Sequence, residues 1–110
     1  MYHLVEDTVS FIRQRIGDFT PEFGIILGTG LGKLVNEIDI AYQIMYANIP
    51  NFPISTVEFH TGKLIFGVLN GRNVVAMQGR LHYYEGYNMQ EITFPVRVMK
   101  DLGVKKLFVS

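Results

Sequence analysis

The chain has 110 residues, 48% of them hydrophobic and 18% charged, with ten Lys and Arg balancing ten Asp and Glu and no cysteine. That size and balance fit a single domain with a modest core and exclude a disordered chain, a disulfide scaffold and a thiolate metal site. No basic cluster supplies the electrostatic footprint that nucleic acid or an anionic membrane requires, so a small molecule is the expected partner.

Residues Met1 to Asp7 lack a basic region followed by an apolar stretch, so no secretory leader is read and the cytoplasm is the expected compartment. From about Tyr2 to Gly17, Val5, Val9, Ile12 and Ile16 recur at three- and four-residue steps, which predicts an amphipathic helix. Leu4 and Phe11 widen its apolar face. Glu6 and Asp7 are expected in its first turns and Arg13 and Arg15 in its last, matching the helix dipole. Asp18 to Pro21 is turn material. Phe23 to Leu27 is short and continuously apolar, the pattern of a strand buried on both faces in a parallel sheet.

That run breaks into Gly28-Thr29-Gly30-Leu31-Gly32, a loop able to expose main-chain N–H groups to an anion. Taken alone, the cluster is better read as an ordinary strand-to-helix connection. Two nucleotide loops are excluded by spacing. A dinucleotide fingerprint from Gly28 needs glycine where Lys33 stands, and a P-loop ending at Gly32-Lys33 needs glycine at Leu27 and a hydroxyl at Leu34.

Lys33 to Ile38 predicts a short helix, Ile40 to Tyr46 a strand, and Ile49-Pro50-Asn51-Phe52-Pro53 a rigid loop. Lys63 to Leu69 and Asn73 to Gln78 are β-rich runs joined by Asn70-Gly71, which predicts an antiparallel hairpin. Gly79 to Tyr87 is a polar, aromatic loop. Gln90 to Gly103 carries Ile92, Val96, Met99 and Leu102 at helical spacing, with Pro95 acceptable only in the first turn or two and Gly103 as C-cap. Lys106 to Ser110 begins another apolar strand. A parallel sheet of such strands needs cover on both faces, and only two long helices are available. The expectation is the N-terminal part of a larger α/β domain, occupying residues 1–110, or a chain that buries its open sheet by self-association.

If the chain stays extended beyond Gly79, Arg80 and His82 fall on one side, where a guanidinium fork and an imidazole suit phosphate. For Arg80 alone a charged loop rim fits equally; beside the Thr29 loop, the anion reading is preferred. His60, ahead of Thr61-Gly62, reads by itself as a surface residue or local cap. Tyr84 and Glu85, close to Tyr83 and Tyr87, fit either a sugar or base contact or an aromatic cover over the sheet end. The three histidines are far apart and the carboxylates lack ligand spacing, so no metal is expected. No nucleophile elbow points to covalent catalysis.

In order, Gly28-Thr29-Gly30-Leu31-Gly32, Phe52-Pro53-Ile54-Ser55-Thr56-Val57 leading to His60-Thr61-Gly62, Gly79-Arg80-Leu81-His82-Tyr83-Tyr84-Glu85-Gly86-Tyr87 and Phe94-Pro95-Val96-Arg97-Val98 resemble the trimeric, low-molecular-mass purine nucleoside phosphorylases. The resemblance implies an α/β fold with a mixed, largely parallel sheet flanked by helices, of which this chain covers less than half. It implies phosphate-binding roles for Thr29, His60, Arg80 and His82, with His60 and His82 catalytic, and a ribose contact for Tyr84. Gly28, Gly30, Gly32 and Glu85 would support them. The family reaction is phosphorolysis of a purine nucleoside to the free base and ribose 1-phosphate, with inorganic phosphate as co-substrate and no other cofactor. Purine nucleoside and phosphate are thus the expected partners, with a homotrimer as the expected assembly. Family members continue beyond the position of Ser110 to the glutamate and asparagine that hold the purine, so the 110 residues alone are expected to be inactive. The alternatives are a methylthioadenosine phosphorylase, which the His82 to Tyr87 run does not resemble, and a truncated, non-catalytic interaction module.

Overall fold

The structure, a computed structural model, describes residues 2–26, 34–52, 62–78 and 89–109. Helix α1 spans Tyr2–Ile16 and buries Val5, Thr8, Ile12 and Ile16, with Val9 and Phe11 packed at the margin. Leu4 does not widen this face: it is 45% exposed, because it lies on the solvent side of Val5 and Thr8. Arg13 and Arg15 occupy the last turn as expected, whereas the first turn holds no acidic residue. Glu6 and Asp7 start one turn too late, because the helix already begins at Tyr2. Gly17, at φ 61°, ends the helix and donates its N–H to the Arg13 carbonyl at 2.9 Å.

Five strands follow: β1 Phe23–Ile26, β2 Asp39–Met45, β3 Lys63–Leu69, β4 Arg72–Gln78 and β5 Lys106–Val109. They form one sheet in the order β2-β3-β4-β1-β5. β1 pairs in parallel with β4 and with β5, while β2, β3 and β4 form an antiparallel meander. The sheet is therefore mixed. Residues 34–37 form a 3-10 turn, shorter and tighter than the helix expected there. Tyr46 leaves the predicted strand and opens a second 3-10 turn, Tyr46–Asn48. In the β3–β4 hairpin, Asn70 and Gly71 have φ of 52° and 79°, the left-handed pair of a type I′ turn.

Helix α2, Met89–Asp101, carries the chain from β4 to β5 across β1 and includes Pro95 as its seventh residue. Its buried stripe is Phe94, Val98, Met99 and Leu102, centred beside the predicted one, so that Val96 lies only at the rim. Gly103 caps its end at φ 118°, its N–H bonded to the Lys100 carbonyl at 3.0 Å.

Both helices lie on the same face of the sheet. There Ile12, Ile16, Val98 and Leu102 meet Ile44, Leu64, Phe66, Val75 and Met77 in the larger core. The opposite face, with Ile25, Ile65, Val74 and Ala76, meets only Leu34, Val35 and Ile38 among the described residues outside the sheet. Period-2 alternation divides β1, β3 and β4 between these layers. On β4, Val75 and Met77 enter the first layer and Val74 and Ala76 the second.

Candidate active site

Strand register fixes where the three motif-bearing segments attach. Ile26, the last residue of β1, pairs with Met77 near the end of β4 and with Val109 at the end of β5. Lys63, the first residue of β3, pairs with Gln78, the last of β4. Segments 27–33, 53–61 and 79–88 are thus rooted at one end of the sheet, at the carboxyl ends of its parallel strands. Their parent strands are consecutive, β3-β4-β1. At the usual strand spacing, the three roots fall within about 10 Å of one another. This end of an open α/β sheet is where ligands bind, because the loops leaving it diverge and present main-chain and side-chain groups.

Thr29 with Gly28, Gly30 and Gly32, His60, and Arg80, His82, Tyr84 and Glu85 all lie outside the described residues. The described residues bring together the roots that carry them. Thr29 is attached through β1, His60 through β3, and Arg80 and His82 through β4.

The residues that brace those roots were not singled out by sequence reasoning. Tyr46 is fully buried, and burial pushes its phenol well above the ordinary value, so the hydroxyl stays neutral. Its N–H donates to the Gly62 carbonyl at 3.0 Å, just after segment 53–61. Its ring packs against Phe52, just before that segment, at a centroid distance of 5.5 Å. Phe52 in turn stands edge-on to Phe94 of α2 at 6.2 Å.

A polar clamp holds the same root from the other side. The Thr8 hydroxyl, fully buried on α1, lies 2.8 Å from the Leu4 carbonyl oxygen and 2.7 Å from that of Pro50. Asn51, at φ 69°, sends its side-chain N–H groups toward the Leu4 carbonyl and the Thr8 hydroxyl, each at 3.4 Å. At the end of β4, the Gln78 side-chain oxygen is buried without a hydrogen-bond partner among the described residues. A buried acceptor of this kind calls for a partner, and this one sits at the root of segment 79–88. The only local sign of these braces was the glycine at position 62, since a glycine at a strand end often marks a close approach. Nothing in the sequence around Tyr46 announces its burial.

The sequence model of the phosphorylase superfamily matches residues 22–110. Purine nucleoside phosphorylase 1 of Geobacillus stearothermophilus is 53% identical over 106 residues, covering 96% of this chain and 38% of the relative. The Bos taurus purine nucleoside phosphorylase is 48% identical over 109 residues, 99% of this chain and 37% of its own. Among solved structures, isoform 2 of the Schistosoma mansoni purine nucleoside phosphorylase, in complex with cytosine and ribose-1-phosphate, superposes with a TM-score of 0.88 at 50% identity. That match covers 98% of this chain and 38% of the other. This chain therefore spans less than two-fifths of the length of these relatives. With a family match over most of its residues, the chain belongs to the phosphorylase superfamily, and these relatives of near-half identity are purine nucleoside phosphorylases.

Proposed function

We propose that the whole protein carrying this chain cleaves purine nucleosides with inorganic phosphate, releasing the free base and ribose 1-phosphate. The observation that carries this reading is the common root of segments 27–33, 53–61 and 79–88 at the carboxyl end of β1 and β4. It gives the glycine loop with Thr29, His60, and Arg80 with His82 a shared end of the sheet. Solved relatives at 45 to 50% identity hold ribose-1-phosphate, hypoxanthine, guanosine and adenosine, which supports the same substrate class here.

In this reading Arg80 holds two phosphate oxygens, and Thr29 and the glycine-loop amides donate to the others. Phosphate attacks the anomeric carbon as the bond to the purine breaks. Positive charge builds on the sugar beside the anion and negative charge on the departing base. His60 and His82 contact phosphate and ribose, Tyr84 packs on the ribose, and Glu85 steadies the segment. Prior binding of phosphate removes much of the entropic barrier to a two-substrate encounter. No cofactor beyond phosphate is called for. The protein works in the cytoplasm as a homotrimer, and the 110 residues alone carry only the phosphate side of the reaction.

The test is phosphate-dependent release of hypoxanthine from inosine. The whole protein is expected to release the base only with phosphate present, and Arg80→Ala to raise the phosphate KM by about tenfold or more, the loss of a charge-assisted contact. Equal release by the isolated 110-residue chain, or release without phosphate, overturns the proposal.

A further inference from the structure

We propose that Gly62 and Tyr46 form a joint that holds the roots of segments 53–61 and 79–88, Gly62 and Gln78, against each other, making both positioning residues for phosphate. The inference rests on the phosphate reading above and goes beyond it, since neither residue belongs to the proposed ligand shell.

Gly62 is buried immediately before β3, and a Cβ placed on it would lie 2.5 Å from Tyr46 Cδ2. The same Cβ would lie 3.3 Å from the main-chain oxygen of Gln78. Gly62 is therefore enclosed between an aromatic ring and the last residue of β4. It belongs to the root of segment 53–61, while Gln78 is the root of segment 79–88. The space for a side chain at position 62 is the space that keeps these roots in contact.

Tyr46 cannot yield easily. Its ring is fully buried, meets Phe52 on one side and belongs to the core formed by Leu64, Met77 and Phe94. Its main chain is tied to Gly62 by the 3.0 Å hydrogen bond and to Ile49 through the Ile49 N–H at 3.0 Å. One residue thus grips both ends of segment 53–61, Phe52 before it and Gly62 after it. Close-packed interiors transmit such displacements instead of absorbing them. An added methyl at position 62 would move the main chain there from the Tyr46 ring and from Gln78 together, parting the roots of the two segments. Sites of this kind lose function when their support shifts by about 1 Å.

The experiment is steady-state kinetics of the whole protein with phosphate and inosine varied independently, alongside thermal melting with and without phosphate. Gly62→Ala is expected to raise the phosphate KM about tenfold while the inosine KM stays within about twofold, and to reduce the shift in melting temperature produced by phosphate. Combining Gly62→Ala with Tyr46→Leu removes the ring edge that the new methyl meets and lets the methyl take up part of the space the ring left, so the double variant is expected to have a lower phosphate KM than either single variant. General loosening of the core would not be repaired by a second core truncation. If Gly62→Ala does not fold, Tyr46→Leu alone keeps the glycine, loosens the grip and is expected to show the same split between the two KM values. A folded Gly62→Ala or Tyr46→Leu protein with an unaltered phosphate KM, or with both KM values raised equally, overturns the proposal. Arg80→Ala separates the two levels. If it raises the phosphate KM while Gly62→Ala does not, the joint alone falls; if neither changes it, the phosphate reading falls and the joint with it.

Discussion

The Arg13 guanidinium lies within hydrogen-bonding reach of three carbonyls that no helix or strand satisfies. Nη1 donates to Gly17 at 3.1 Å and Phe19 at 2.6 Å, and Nη2 donates to Leu102 at 2.8 Å. Gly17 and Leu102 follow the ends of α1 and α2, so one planar cation serves the negative ends of two helix dipoles at once. Lysine has one ammonium centre and cannot reproduce the fork. Arg13→Ala is expected to lower unfolding free energy by about 2 kcal/mol, since hydrogen bonds to charged groups contribute more than neutral ones. Arg13→Lys should recover less than half of that loss. Urea unfolding of the two variants checks both figures, and equal stability of the Lys variant and the parent chain would show that charge alone matters.

Among elements, the β3–β4 hairpin does most to align the site. Its register pairs Leu69 with Arg72 at the turn and Lys63 with Gln78 at the other end, so the two-residue turn determines which residues stand at the roots of segments 53–61 and 79–88. Asn70 and Gly71 both adopt left-handed backbone there. No atom of the described residues lies within 4 Å of a Cβ built on Gly71, so alanine there meets no clash among them and its cost is that of its dihedral angles. Gly71→Ala is therefore expected to cost about 1 kcal/mol. A loss near zero in thermal or chemical unfolding would mean that the turn relaxes to another type. Amide exchange along β3 would then report whether the register at Lys63 had changed.

At the scale of the whole molecule, the described residues cover the two faces of the sheet unequally. α1 and α2 seal one face, whereas an apolar depression of about 420 Å³ on the other is lined by Phe23, Ile25, Leu34, Leu69, Val74 and Phe108. Phe108 is 56% exposed on the edge strand β5, and Phe23 meets it at 5.9 Å. Exposed apolar surface beside a strand edge that has no partner among the described residues favours association. The isolated 110-residue chain is expected to self-associate in the micromolar range, with Phe108→Lys shifting it toward monomer. Sedimentation velocity across a concentration series measures this. A monomer at every concentration for both proteins would count against an apolar contact through this face.

Local chemistry made much of this fold readable from residues alone. The 3.6-residue period identified α1, the Asn70-Gly71 pair identified the β3–β4 hairpin, and the short apolar run after Pro21 identified β1, because each depends on neighbours in sequence. The motif resemblance reached further, to the phosphorylase family, because the spacing of its blocks is itself a sequence property. Other features depended on partners distant along the chain. Placement of both helices on one face depends on the crossover of α2 over β1, and the common root of the three motif segments depends on strand order. Burial of Tyr46 against Gly62 joins residues sixteen positions apart across a segment boundary. Sequence periodicity carries no information about such a contact, since it arises only when the chain returns after β2 and brings Gly62, ahead of β3, against the ring.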